Sequence, residues 1–83
     1  MEVQADVINI LERVLNLGGR SSGFGPDTAL LGSVPELDSM AVATVITSLE
    51  EHFGFVIEDD EIEGSTFATV RSLVDFVNGK LHV

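Results

Sequence analysis

Pro35-Glu36-Leu37-Asp38-Ser39-Met40-Ala41-Val42-Ala43-Thr44-Val45-Ile46-Thr47-Ser48-Leu49-Glu50-Glu51-His52-Phe53-Gly54 is the stretch that decides the fold, because a Gly/Pro-rich loop meets an apolar helical run inside it. Asp38 is a favoured N-cap residue, since its carboxylate accepts hydrogen bonds from the unpaired amides of a first turn. The helix is expected to open at Asp38 or Ser39 and to run to Phe53, where Gly54 stops it. Met40, Ala43, Ile46, Leu49 and Phe53 give its expected inward stripe, widened by Val42 and Val45.

On the N-terminal side, Val3, Val7, Ile10, Leu11, Val14 and Leu17 recur at helical spacing and predict a helix over Glu2–Leu17, stopped by Gly18-Gly19. An irregular connection from Gly18 to Leu37 follows, long for a small bundle, with Phe24, Leu30, Leu31 and Val34 expected to pin it to the helices. On the C-terminal side, the acidic Glu58–Glu63 predicts one helical turn carrying Ile62 inward. Val70, Leu73, Val74 and Val77 predict a last helix over Thr69–Asn78. Nothing predicts a strand beyond an extended piece at Phe55-Val56-Ile57. The expected fold is one all-α domain over residues 1–83: three main helices, one short helix and a long loop between the first two.

Composition narrows the function. Eighty-three residues allow a modest core but fall short of a self-contained enzyme of usual size. The absence of Cys removes disulfides, thiolate metal sites and a cysteine nucleophile. No run is long and apolar enough to span a bilayer, and Met1-Glu2-Val3-Gln4-Ala5-Asp6 is acidic where a secretory signal is basic, so a cytoplasmic protein is expected. Fourteen acids against four bases disfavour nucleic acid and anionic membranes as partners. From Glu36 to Glu63 there are nine acids and no Lys or Arg, which reads as a solvated face or as a docking surface for basic proteins.

Ser39 is the residue with chemistry to explain. A serine hydrolase needs a base, a group that orients the base and an oxyanion hole. His52 lies about 13 helical residues away, roughly 20 Å at the standard rise. His82 adjoins the C-terminus, and no Gly-x-Ser-x-Gly elbow is present. No catalytic residue is therefore assigned. What a helix N-terminus does favour is an anion at its first turn, so Ser39 reads as a handle that another enzyme modifies.

Asp38-Ser39-Met40, then Leu49-Glu50-Glu51-x-Phe53, Ile57 and the acids Asp59 to Glu61 resemble the acyl carrier protein family. The likeness extends to Asp27-Thr28-x-Leu30, Phe67-x-Thr69-Val70 and Asp75-Phe76-Val77, and so covers almost the whole chain. It implies a 4'-phosphopantetheine arm, taken from coenzyme A by a separate phosphopantetheinyl transferase and joined to Ser39, with Asp38 and Met40 beside it. The arm's thiol would carry acyl groups as thioesters, with no catalysis by the carrier. The resemblance further implies a monomeric shuttle that meets basic acyl-loading and acyl-transfer enzymes through Glu36, Asp38, Glu50, Glu51, Glu58, Asp59, Asp60 and Glu61. It also implies a cargo crevice lined by Met40, Ile46, Leu49, Ile57, Ile62, Phe67 and Val74, or an ordinary packed core at those positions.

Departures from the family pattern qualify the pathway. Met40 stands where Leu is usual, and Pro35-Glu36-Leu37 where small residues are common. Ala41, Val42, Thr44, Thr47 and Ser48 leave the middle of the second helix neutral, which points to a specialised acyl, amino-acyl or polyketide route over the general fatty-acid synthase. Asp before the serine leans towards acyl over peptidyl carriers. Two other readings fail on their own terms. An EF-hand beginning at Asp59 would place Val70 where a bidentate Glu is needed, so no metal site is assigned. Gly18-Gly19-Arg20-Ser21-Ser22-Gly23 lacks the Gly-Lys-Ser/Thr ending of a phosphate loop. The rival from another class is an unmodified acidic helical adaptor in which Ser39 is only a first-turn residue.

Overall fold

Val7, Ile10, Leu11 and Leu15 form the buried stripe of the first helix, α1 (Val3–Leu15), in a computed structural model that describes residues 3–81, the Asp59 side chain excepted. The helix stops earlier than Gly18-Gly19 predicts. Asn16 takes a left-handed conformation at φ 53°, and the Leu17 amide donates back to the Glu12 carbonyl at 3.2 Å. That is a Schellman ending with Asn in the usual glycine place, and it turns Leu17 into the core.

α2 (Ser39–Phe53) has the expected bounds: Asp38 caps it, and Gly54 ends it at φ 75°. Its inward face keeps the expected Val42, Val45, Ile46, Leu49 and Phe53 but not Met40 or Ala43. Val45 and Leu49 are buried, Ala41, Val42, Ile46 and Phe53 pack partly against the core, Ala43 is exposed, and Met40 is 82% exposed. α1 packs against both α2 and α3 (Val70–Leu81), whose Val70, Leu73 and Val77 are buried and which runs beyond the predicted end at Asn78. The radius of gyration of 11.6 Å matches the value of about 12 Å expected for a folded chain of this length.

The long connection is ordered by distant partners. A 3-10 turn at Arg20–Gly23 begins it, and Leu30, Val34 and Leu37 are buried, while Leu31 stays half exposed at 47% instead of pinning the loop. The Leu30 and Leu31 amides donate to the Ala68 and Phe67 carbonyls at 2.9 and 3.0 Å. In return, the Val70 and Arg71 amides donate to the Thr28 and Pro26 carbonyls at 3.0 and 2.7 Å. First-turn amides of α3 that lack a partner within the helix are thereby satisfied by the loop. An isolated antiparallel bridge, Ala29 to Thr69, lies within this seam.

Between α2 and α3 the chain makes two 3-10 turns, Asp59–Glu61 and Gly64–Phe67. The first is the predicted acidic turn, and Ile62 after it packs partly against the core. The second buries Thr66 and Phe67 and was not expected from the sequence.

Candidate functional site

Ser39 is the first residue of α2 and is exposed, as are Asp38 and Met40 on either side. Asp38 holds the turn: its Oδ1 accepts the Ala41 amide at 2.8 Å, and its carbonyl accepts the Val42 amide at 2.9 Å. The amides of Ser39 and Met40 have no acceptor among the described residues. An anion placed on the Ser39 oxygen would stand at the positive end of the α2 dipole, beside two amide donors without protein acceptors. The Asp38 carboxylate acts against that field, but it is already committed to the cap.

The approach to Ser39 is tied to α1. The Leu37 amide donates to the Val34 carbonyl at 3.0 Å and the Asp38 amide to the Glu36 carbonyl at 3.1 Å, while the Leu37 side chain is buried. Glu36 forms an ion pair with Arg20. Arg20 is itself placed by its Nε, which donates to the Leu17 carbonyl at 3.1 Å. Next to it, Glu12 Oε1 accepts the Gly19 amide at 3.0 Å and the Ser21 hydroxyl at 2.7 Å. The Ser21 hydroxyl, with backbone amides after it, holds the Glu12 carboxyl below the usual carboxylate range. Neither Arg20 nor Glu12 is signalled by a local motif, because each partner lies many residues away.

The acids expected to face partners divide into two sets. Glu36 is paired with Arg20; Glu50 is half-buried, and its Oε2 accepts the Ile57 amide at 2.8 Å. Glu61 accepts the Lys80 ammonium with both oxygens, at 2.9 and 2.8 Å, and also the Glu58 amide at 2.9 Å. Lys80 is the main cause, and the Glu58 amide the next, of the lowered Glu61 carboxyl pKa. Glu51, Glu58 and Asp60 remain exposed and make no ion pair among the described residues. The Asp59 side chain and His82 lie outside the described residues.

Of the apolar set, Leu49, Ile57 and Phe67 are buried, and Ile46, Ile62 and Val74 pack partly against the same core. Met40 is not brought into that cluster; it projects at the surface next to Ser39. His52 meets Asp6 of α1 at 3.6 Å and packs edge-on against Phe53. It makes no contact with Ser39. Among the described residues no helix is long and apolar enough to cross a membrane, and no group of acids and histidines is arranged to hold a metal ion.

Residues 5–77 match the family described as "Phosphopantetheine attachment site". No curated protein matches the chain. Among solved structures, the chain is similar to a holo acyl carrier protein from Nitrosomonas europaea, determined by solution NMR, with 52% identity over 100% of both chains and a TM-score of 0.92. The chain accordingly belongs to the acyl carrier proteins, which bear a covalently attached phosphopantetheine and act as carriers, not enzymes.

Proposed function

We propose that Ser39 is the residue that bears the 4'-phosphopantetheine, and that the loaded chain carries acyl intermediates between partner enzymes of a lipid, polyketide or other specialised acyl pathway. The observation that carries this reading is the placement of the Ser39 hydroxyl: exposed, at the first turn of α2, beside two amides without protein acceptors. When bound, the group supplies a thiol, which this Cys-free chain lacks, and that thiol holds acyl groups as thioesters. The chain's own residues present the ester oxygen. Asp38 fixes the first turn, the Ser39 and Met40 amides offset the phosphodiester charge, and the exposed Met40 side chain gives a transferase an apolar contact next to the reacting hydroxyl.

The partner surface follows from which acids are free. Glu51, Glu58 and Asp60 offer unpaired charge to Lys or Arg on acyl-handling enzymes, giving fast and reversible encounters. Glu36, Glu50 and Glu61 serve the fold first. Between Ser39 and Glu50 the exposed positions Ala43, Thr44 and Thr47 are uncharged, and both threonine hydroxyls donate to carbonyls one turn back. A partner lying along this helix would need little basic surface until it reaches Glu51, which supports a dedicated pathway. Ile46, Leu49, Ile57, Ile62, Phe67 and Val74 mark the apolar cluster into which an acyl chain would insert. The chain is read as a cytoplasmic monomer.

Intact mass after incubation with coenzyme A, Mg²⁺ and a broad-specificity phosphopantetheinyl transferase tests the assignment. A phosphopantetheinyl mass gain in wild type and none in Ser39→Ala is the expected result. A gain that survives Ser39→Ala would move the attachment elsewhere. No gain from a folded wild-type chain with several transferases would favour the unmodified adaptor.

A further inference from the structure

Glu36 is half-buried, and the two oxygens of its carboxylate have different surroundings: Oε2 meets Arg20, whereas Oε1 is sealed from solvent without a hydrogen-bond partner. An exposed ion pair ordinarily contributes little, because water replaces the lost partner. Here water does not reach one oxygen, so Arg20 is the counterion on which this carboxylate depends. Removing a partner from such a group leaves an uncompensated charge, and the segment must move to hydrate it. The segment in question is the lead-in to Ser39: the Glu36 carbonyl accepts the Asp38 amide, and Asp38 caps α2. Arg20 in turn is fixed to the end of α1 through the Leu17 carbonyl.

We infer that Arg20 is a positioning residue for modification of Ser39: by neutralising the Glu36 carboxylate it keeps the lead-in to the Asp38–Ser39 turn from shifting to hydrate a stranded charge. This rests on the assignment of Ser39 as the modified residue. Neutralising Glu36 also leaves the anion that modification creates with fewer like charges nearby. Arg20 touches no reacting atom in this scheme. Its effect is on geometry, so it should appear in the modification rate far more than in stability.

The experiment compares transferase kcat/KM for wild type, R20A, E36Q and R20A/E36Q, with backbone amide shifts of Asp38 to Ala41 recorded on the unmodified proteins. R20A strands a charge, and a small misplacement of a reacting group lowers rates steeply, so its kcat/KM is expected to fall about tenfold. E36Q leaves no charge to strand and should stay within about threefold of wild type; R20A/E36Q should return to that level, since no uncompensated carboxylate remains. The Asp38–Ala41 shifts should move in R20A and move back in the double variant. A double variant as slow as R20A, or an R20A protein with unchanged rate and shifts, would overturn the inference. If wild type takes up no phosphopantetheine while its shifts respond as described, the Ser39 assignment fails and the Arg20–Glu36 coupling stands.

Discussion

Asp38 has two separable properties, a hydrogen-bond acceptor and a charge, and substitutions can divide them. Its Oδ1 accepts the Ala41 amide at 2.8 Å at an exposed helix end. Replacing a capping Asp by Ala costs about 1 kcal/mol, within a range of ~0.5–2. For a domain of this size, 1 kcal/mol lowers Tm by about 4–8 °C. Asp38→Ala should therefore melt roughly that much below wild type, followed by circular dichroism at 222 nm and checked by urea titration. Asp38→Asn keeps an acceptor oxygen and caps comparably, so it should stay within about 0.5 kcal/mol of wild type. Because Asn lacks the charge, any loss of transferase rate in Asp38→Asn would report recognition of that charge and not a frayed helix. An Asp38→Ala protein that melts with wild type in both assays would refute the assignment of this side chain as the cap. Asn and Ala variants equally destabilised would show that charge, and not hydrogen bonding, stabilises the turn.

Further expectations concern other ends and faces of the bundle. Gly54→Ala forces a side chain into φ 75° and should destabilise by about 1 kcal/mol or more in urea unfolding, although nothing crowds the site. Leu49→Ala, at a position 1% exposed, should cost about 2–5 kcal/mol and leave a marginal fold by the same measurement. Glu61→Gln removes the negative charge of the Lys80 pair while keeping an acceptor oxygen. The folded Glu61 pKa is lowered, first by Lys80, so its stabilisation is full above the unfolded value of about 4.3 and is lost as pH falls through the folded value. The Tm difference between wild type and Glu61→Gln should accordingly be present at neutral pH and close in acid. A difference that stays constant with pH would mean that the ion pair is not its source.

The second helix was legible because its signals are local: a capping Asp at one end, a left-handed Gly at the other and apolar spacing between them. The face it buries was less legible. Counting from Met40 places Met40 and Ala43 inside, where both are exposed, since a Met in the first turn scores as apolar wherever the neighbouring chain happens to lie. Val45 and Leu49 in the middle of the helix decide the true face, with Val42, Ile46 and Phe53 beside them. The end of α1 was missed because a glycine pair outscores Asn16 as a stop signal, although Asn also tolerates the left-handed turn. Ser39 could be singled out from its surroundings alone. Arg20 and Glu36 could not be paired that way, nor could Glu50 be seen as the acceptor for the Ile57 amide, because surface charge carries no mark of its partner. The seam between residues 26–31 and 67–71 is made of backbone groups, which every residue but proline carries in full, and so leaves no trace in side-chain pattern.

That seam has a consequence for timing. Leu30 and Leu31 find their acceptors only in Phe67 and Ala68, and Pro26 and Thr28 receive the amides of α3. Contacts so distant in sequence form after local helices, because the intervening chain must first be closed. During synthesis from the N-terminus, α2 can be complete and Ser39 already displayed while residues 26–31 of the loop leading to it still lack their partners. Only when the start of α3 emerges does that part of the loop acquire its fixed course. A modifying enzyme that reads the shape of the loop as well as the serine would thus pass over nascent and truncated chains, and load only those whose last helix has arrived.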